Sequence, residues 1–207
     1  MRTLVVDVET TGLPSWKLPA DDPSQPRMIQ IAAKLYGPDR AAERSLVSLI
    51  RPDGWLMDDD LAAKLGNGLF HARLVEEGRP VAEVLAEFAE MHDAADLVVA
   101  YGISFDLKIL RGELRRAGIA DRYGERPTFC PMRAATPICK MPPTEAMLRA
   151  NRRSPKTPKL AEAYEILLGK TLEGAHDALA DLDATAELLW WLVDNGHGPR
   201  EIKGLPA

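Results

Sequence analysis

The run TLVVDVETTG, residues 3–12, decides the architecture. Residues 3–8 are apolar and β-branched and read as a buried strand. Asp7 and Glu9 stand two apart, so on a strand their side chains share one face. Thr10, Thr11, Gly12 and Pro14 end the strand, which puts both acids near its carboxyl end, where open α/β sheets place ligands. Two carboxylates held together there cannot both ionise cheaply without a cation. Gly12 allows backbone to approach a ligand closely. Taken alone, the acid pair fits an acidic strand end running into a surface turn equally well.

Outward from this run, residues 14–27 carry four prolines and read as a loop, long enough for a functional role or for disorder. Trp16 in it either stacks on a base or packs on the loop's own prolines. Residues 28–36 and 45–52 read as two further strands, with Gly37, Pro38 and Asp39 as turn material. The period then turns helical: residues 58–66 begin with acids and end in glycine, and Pro80 opens a helix with Val81, Val84, Leu85 and Phe88 on its apolar side. A strand at 96–102, a helix at 105–118 and a short strand at 126–131 follow. Helices at 159–169 and about 177–193 close the pattern, with Trp190 and Trp191 as core or interface residues of the last. This order predicts an α/β fold: a mixed sheet of about five strands with helices packed on its faces.

Bulk properties agree with a globular domain. The 207 residues suit one domain, 1–207, with a short tail from about 196. Hydrophobic residues make up 46% and charged residues 28%, and no apolar run approaches the roughly 20 residues that span a bilayer. The first apolar stretch is broken by Asp7, unlike a signal peptide. Two cysteines, Cys130 and Cys139, exclude a disulfide framework, and a reducing cytoplasm is the expected compartment. The net charge of −5 argues mildly against nucleic acid, but a site that gathers carboxylates for cations is acidic by necessity.

Three further residues carry candidate chemistry. Asp106 follows the strand at 96–102 and opens a helix, where an acid also simply favours the helix dipole. His176 and Asp181 stand five apart at the start of the last helix, for which Asp177 is a good N-cap. A lone histidine is usually a surface or core residue; this one lies beside an acid at a helix start that must pack on the sheet.

Taken together, DVETTGL (7–13), AYGISFDLKIL (100–110) and AHDALADLDATAELL (175–189) resemble, in order, the three motifs of the DEDDh family of 3′–5′ exonucleases. That group includes the epsilon proofreading subunit and ribonuclease T, and the stretch 128–142 resembles its phage and prophage-borne members. The resemblance implies a ribonuclease H-like mixed five-stranded sheet with helices on both faces. It also implies two Mg²⁺ or Mn²⁺ ions held by Asp7, Glu9, Asp106 and Asp181, with His176 as general base. Thr10, Gly12 and Leu13 resemble positions that hold the 3′-terminal nucleotide. Tyr101 and Phe105 are further candidate substrate contacts, although an aromatic residue at Phe105 more often packs in a core. Many members carry His-Asn where this chain has Tyr101-Gly102, and His where it has Asn67, which bears on substrate preference. The implied product is a nucleoside 5′-monophosphate.

The stretch LRANRRSPKTPK, 148–159, holds five basic residues and no acid. It reads either as a loop that contacts substrate phosphates through Arg152 and Arg153 or as a solvated surface loop. The expected partner is nucleic acid with a free 3′ end, DNA (single-stranded) favoured over RNA. Any proofreading role would need a polymerase or repair partner in trans, and no membrane is expected. The alternatives are an RNA 3′-end exoribonuclease of the same family and a non-catalytic, polymerase-associated binding module.

Overall fold

A computed structural model describes residues 1–66, 68–174 and 177–199. The expected five-stranded mixed sheet is present. Strands β1 (Thr3–Thr10), β2 (Met28–Tyr36) and β3 (Ala42–Leu49) pair antiparallel in succession. The short strands β4 (Leu97–Val99) and β5 (Thr128–Phe129) add on in parallel, giving the order β3-β2-β1-β4-β5. β1 is central, which explains its nearly unbroken apolar run: both of its faces are covered.

The period-two alternation of β1 splits it between two cores. Leu4, Val6 and Val8 face α3 (Val81–Ala94) and α4 (Ser104–Arg116), where Val84, Leu85, Phe88, Ile109, Leu110 and Leu114 are buried. Val5 faces the other way, onto α8 (Ala178–Asp194), through Ala178, Leu182, Ala186 and Leu189. Asp7 and Glu9 continue the row of Val5 and therefore lie on the α8 side. Helices α5 (Pro131–Cys139) and α7 (Leu160–Leu168) cover the outer side of α8, around Ala135, Ala163, Leu188 and Leu192. Trp191 is packed against this cluster and Trp190 meets Tyr36 edge-on, so both tryptophans belong to the packing.

Several boundaries differ from the sequence reading. The third strand starts at Ala42, through polar residues that pair with β2, and stops at Leu49; the Ile50 N–H still donates to Ile29 on β2, while the Leu49 carbonyl and the Arg51 N–H bond Arg79 on either side of it. Three helices were not anticipated: α2 (His71–Glu77), α5 and α6 (Glu145–Arg149). Prolines disguised α5, with Pro131 at its start, where a missing N–H costs nothing, and Pro137 near its end. Capping by Thr144, whose side chain accepts from the Met147 N–H, makes Leu148 and Arg149 helical rather than part of a basic loop. Helix α1 (Asp59–Leu65) matches expectation, with Asp58 as N-cap and Gly66 closing it in the left-handed conformation. Among the described residues, no helix is long and apolar enough to cross a membrane.

Candidate active site

The carboxyl end of β1 is shaped by its neighbours. The register with β2 slips between Glu9 and Thr10, and the chain then turns. Thr11 is pinned to Arg27 by two 2.9 Å bonds: its N–H donates to the Arg27 carbonyl and its hydroxyl accepts from the Arg27 N–H. The buried Thr10 hydroxyl donates to the Gly12 carbonyl at 2.7 Å. Gly12 has open space where a Cβ would stand, and Leu13 projects with 88% of its surface exposed. An exposed leucine on a pinned turn has no packing role to explain it.

Three carboxylates meet at this end. Asp7, Glu9 and Asp181 each place an oxygen within 4.8 Å of the others. Asp181 comes from the first turn of α8, one turn beyond its N-cap Asp177. The fourth acid, Asp106, enters from the first turn of α4 and is 2% exposed. Burial pushes the Asp7 carboxyl well above the usual range, and the charges of Asp106, Asp181, Glu9 and Asp177 push it further. Glu9 rises to about 7, again first through burial and then through Asp181, Asp106 and Asp177. Asp106 is also raised by burial, partly offset by backbone N–H groups of its own residue and of Val8. Two carboxylates about 4 Å apart repel by roughly 4 kcal/mol at an effective dielectric constant of 20. The cluster therefore either keeps protons at neutral pH or takes up a cation. Its donors are all hard oxygens, which suits Mg²⁺ or Mn²⁺.

The loop between β1 and β2 is ordered rather than loose. Gln25, 4% exposed, accepts from the Ser15 N–H at 2.9 Å and donates to the carbonyls of Ser15 and Pro19 at 2.9 and 2.8 Å. The loop lies so close on α4 that a Cβ at Gly112 would stand 2.3 Å from the Ala20 carbonyl oxygen. Trp16 is 63% exposed, so the loop's prolines do not bury it.

Other expected residues fall in two groups. Tyr101 donates its hydroxyl to the Pro158 carbonyl at 2.8 Å, which ties the basic segment to the end of β4. Phe105 packs against the α3–α4 core, and Arg152 and Arg153 are exposed to solvent. His176 and Asn67 lie outside the described residues. Sequence reasoning missed Gln30, buried on β2 directly opposite Glu9; only the hairpin register shows it.

The sequence matches the exonuclease family RNase_T over residues 4–189. The chain belongs to that exonuclease family. No curated protein matches this exonuclease chain in sequence. Among solved structures it resembles E. coli exonuclease I in complex with a dT13 oligonucleotide, with a TM-score of 0.70 and 20% identity over 93% of this chain and 41% of that one. A zinc-bound form of an E. coli exonuclease I–ssDNA complex matches with a TM-score of 0.68 and 18% identity, over 94% of this chain and 40% of that one. A product-bound exonuclease I matches with a TM-score of 0.70 and 18% identity, over 93% and 43%. The exonuclease chain thus spans about four-tenths of the length of these neighbours. At such identity the likeness establishes the shared fold. The phage-like flavour and a polymerase partner draw no support from these matches.

Proposed function

We propose that the chain, as a single exonuclease domain over 1–207, is a metal-dependent 3′–5′ exonuclease of DEDDh type acting on single-stranded DNA. The observation that carries this reading is the convergence of Asp7, Glu9 and Asp181 within 4.8 Å at the carboxyl end of the central strand. Asp7, Glu9, Asp106 and Asp181 would hold two divalent cations. Bound there, the cations supply Lewis acidity that activates water and stabilises the leaving oxygen. His176 takes the proton of the attacking water, as an imidazole does near neutral pH.

The residues around the acids do the binding. Thr10 fixes the turn that presents Gly12 backbone and the Leu13 side chain to the terminal nucleotide, and Leu13 wedges against its base. Arg152 and Arg153, exposed in the segment that the Tyr101–Pro158 bond ties to the end of β4, take phosphates further along the strand. DNA is favoured because the exonuclease I neighbours are described with DNA oligonucleotides, dT13 and ssDNA among them.

Incubation of the protein with 3′-labelled and 5′-labelled single strands of DNA and RNA, with Mg²⁺ and with EDTA, tests the proposal. The expected result is immediate release of label as mononucleotide from the 3′-labelled DNA, in Mg²⁺ only. Release first from the 5′ end, preferential digestion of RNA, or degradation that survives EDTA would overturn it.

A further inference from the structure

Helix α8 lies along β2 in a matched register. The residues of β2 on the α8 face are Gln30, Ala32, Lys34 and Tyr36, two apart as a strand requires. Gln30 bonds Asp177, Lys34 pairs with Asp183, and Tyr36 stacks edge-on against Trp190. The steps from Gln30 to Tyr36 and from Asp177 to Trp190 each span about 20 Å at the rise of a strand and of a helix. The strand thus sets where the helix sits lengthwise, and Gln30 is the contact at the end that carries the acids.

Gln30 is 6% exposed and both halves of its amide are used. Its Nε2 donates to Asp177 Oδ2 at 3.2 Å, and its Oε1 accepts from the Ala178 N–H at 3.2 Å. A carboxylate can only accept and a backbone N–H can only donate, so one orientation of the amide serves both. Asp177 uses its other oxygen to cap the helix, accepting from Leu179 and Ala180 at 3.1 and 3.2 Å. Asp181 follows one turn later, its N–H on the Asp177 carbonyl at 3.0 Å. Gln30 is also the cross-strand partner of Glu9, and the two share a face.

We infer that Gln30 is a positioning residue: it locks the first turn of α8 to β2 and so holds Asp181 at the correct distance from Glu9 and Asp7 for a shared cation. This rests on the proposed function, in which those acids bind metal. Residues that orient metal ligands from behind typically govern affinity by 10–100-fold. Gln30→Met keeps the length of the side chain and removes both polar groups.

The test compares Gln30→Met with Lys34→Met, which loosens the same β2–α8 contact at Asp183 and leaves the Asp177 cap intact. Mn²⁺ binding without substrate is read by calorimetry, and hydrogen exchange of the Leu179 and Ala180 amides is read in EDTA. Gln30→Met should weaken Mn²⁺ binding at least about tenfold and speed exchange at both amides. Excess Mn²⁺ should return most of kcat. Lys34→Met should cost melting temperature while leaving Mn²⁺ affinity near that of the wild type. Equal affinities in Gln30→Met and wild type, or equal losses in both variants, would overturn the inference. Gln30→Asn, one methylene shorter with the same groups, supplies the comparison if the methionine variant does not fold. A wild type that binds no Mn²⁺ would refute the proposed function itself, and the exchange rates, which need no metal, would still decide whether Gln30 holds the turn.

Discussion

Arg27 meets Glu113 in a two-point ion pair, Nε to Oε1 at 2.9 Å and Nη2 to Oε2 at 3.1 Å. Glu113 is 1% exposed, and it also accepts from the Met28 N–H at 3.1 Å and pairs with Arg116. The pair joins α4, which carries Asp106, to the start of β2. Removing one partner of a buried ion pair typically costs about 3–5 kcal/mol. Glu113→Ala is expected to lose stability on that scale in urea unfolding, and Glu113→Gln, which keeps an acceptor for Met28, to lose less.

Glu113 also sets a sign for acid unfolding. Burial pushes its carboxyl up, but the bonds from Arg27 and Arg116 outweigh burial and hold it below the usual range. Its contribution is therefore full above the unfolded value and lost as pH falls through the lower folded one. Glu113→Gln should start less stable at neutral pH and lose less than the wild type on acidification, as measured by denaturant midpoints.

The acid cluster has the opposite sign. Burial raises Asp7, Glu9 and Asp106, and neighbouring carboxylate charges raise Asp7 and Glu9 further, so between the usual carboxylate range and about 7 the folded chain binds more protons than the unfolded one. Stability in EDTA should fall as pH rises through that window, from about pH 4 to about pH 7. Mn²⁺ should flatten the fall, and Asp7→Asn should raise the melting temperature in EDTA at neutral pH. Melting curves in EDTA that are level across that window would contradict the electrostatic account.

The Gln25 hub gives a prediction for the loop. Gln25→Ala leaves Ser15 and Pro19 backbone groups without their partner. Trypsin should then cut after the exposed Lys17 several-fold faster, and KM for a single strand should rise more than kcat falls. Unchanged cleavage would mean that packing on α4 alone holds the loop.

The basic segment predicts a salt effect. Each phosphate neutralised on a single strand contributes about 0.7 to the slope of log K against log salt. Replacing Arg152 and Arg153 with alanine should lower that slope by roughly 1 to 2, measured by fluorescence anisotropy with a labelled oligonucleotide in Ca²⁺. An unchanged slope would assign the two arginines to solvent.

Much of this molecule was legible in its residues because its strongest signals are local. The apolar run of β1 and the spacing of Asp7 and Glu9 depend only on strand geometry, and the capping residues Asp58, Gly66 and Asp177 mark their helices directly. What escaped reading depends on distant contacts. The start of β3 is polar and becomes a strand only because β2 offers it a ladder. Prolines hid α5, and the five residues of α6 are too few to show a period. Asp106 looks like an ordinary helix-start acid until the end of β1 stands beside it. Gln30 reads as one more polar residue in a strand until the hairpin register sets it across from Glu9.

In the proposed reaction Asp7 works through bound metal on a 3′ end. Turnover of Asp7→Asn on 3′-labelled single-stranded DNA in saturating Mg²⁺ tests it most directly. A fall in kcat of about 10³-fold or more, on the scale of losing a main electrostatic stabiliser of the transition state, is the expected result. Turnover within a few-fold of the wild type would contradict the account.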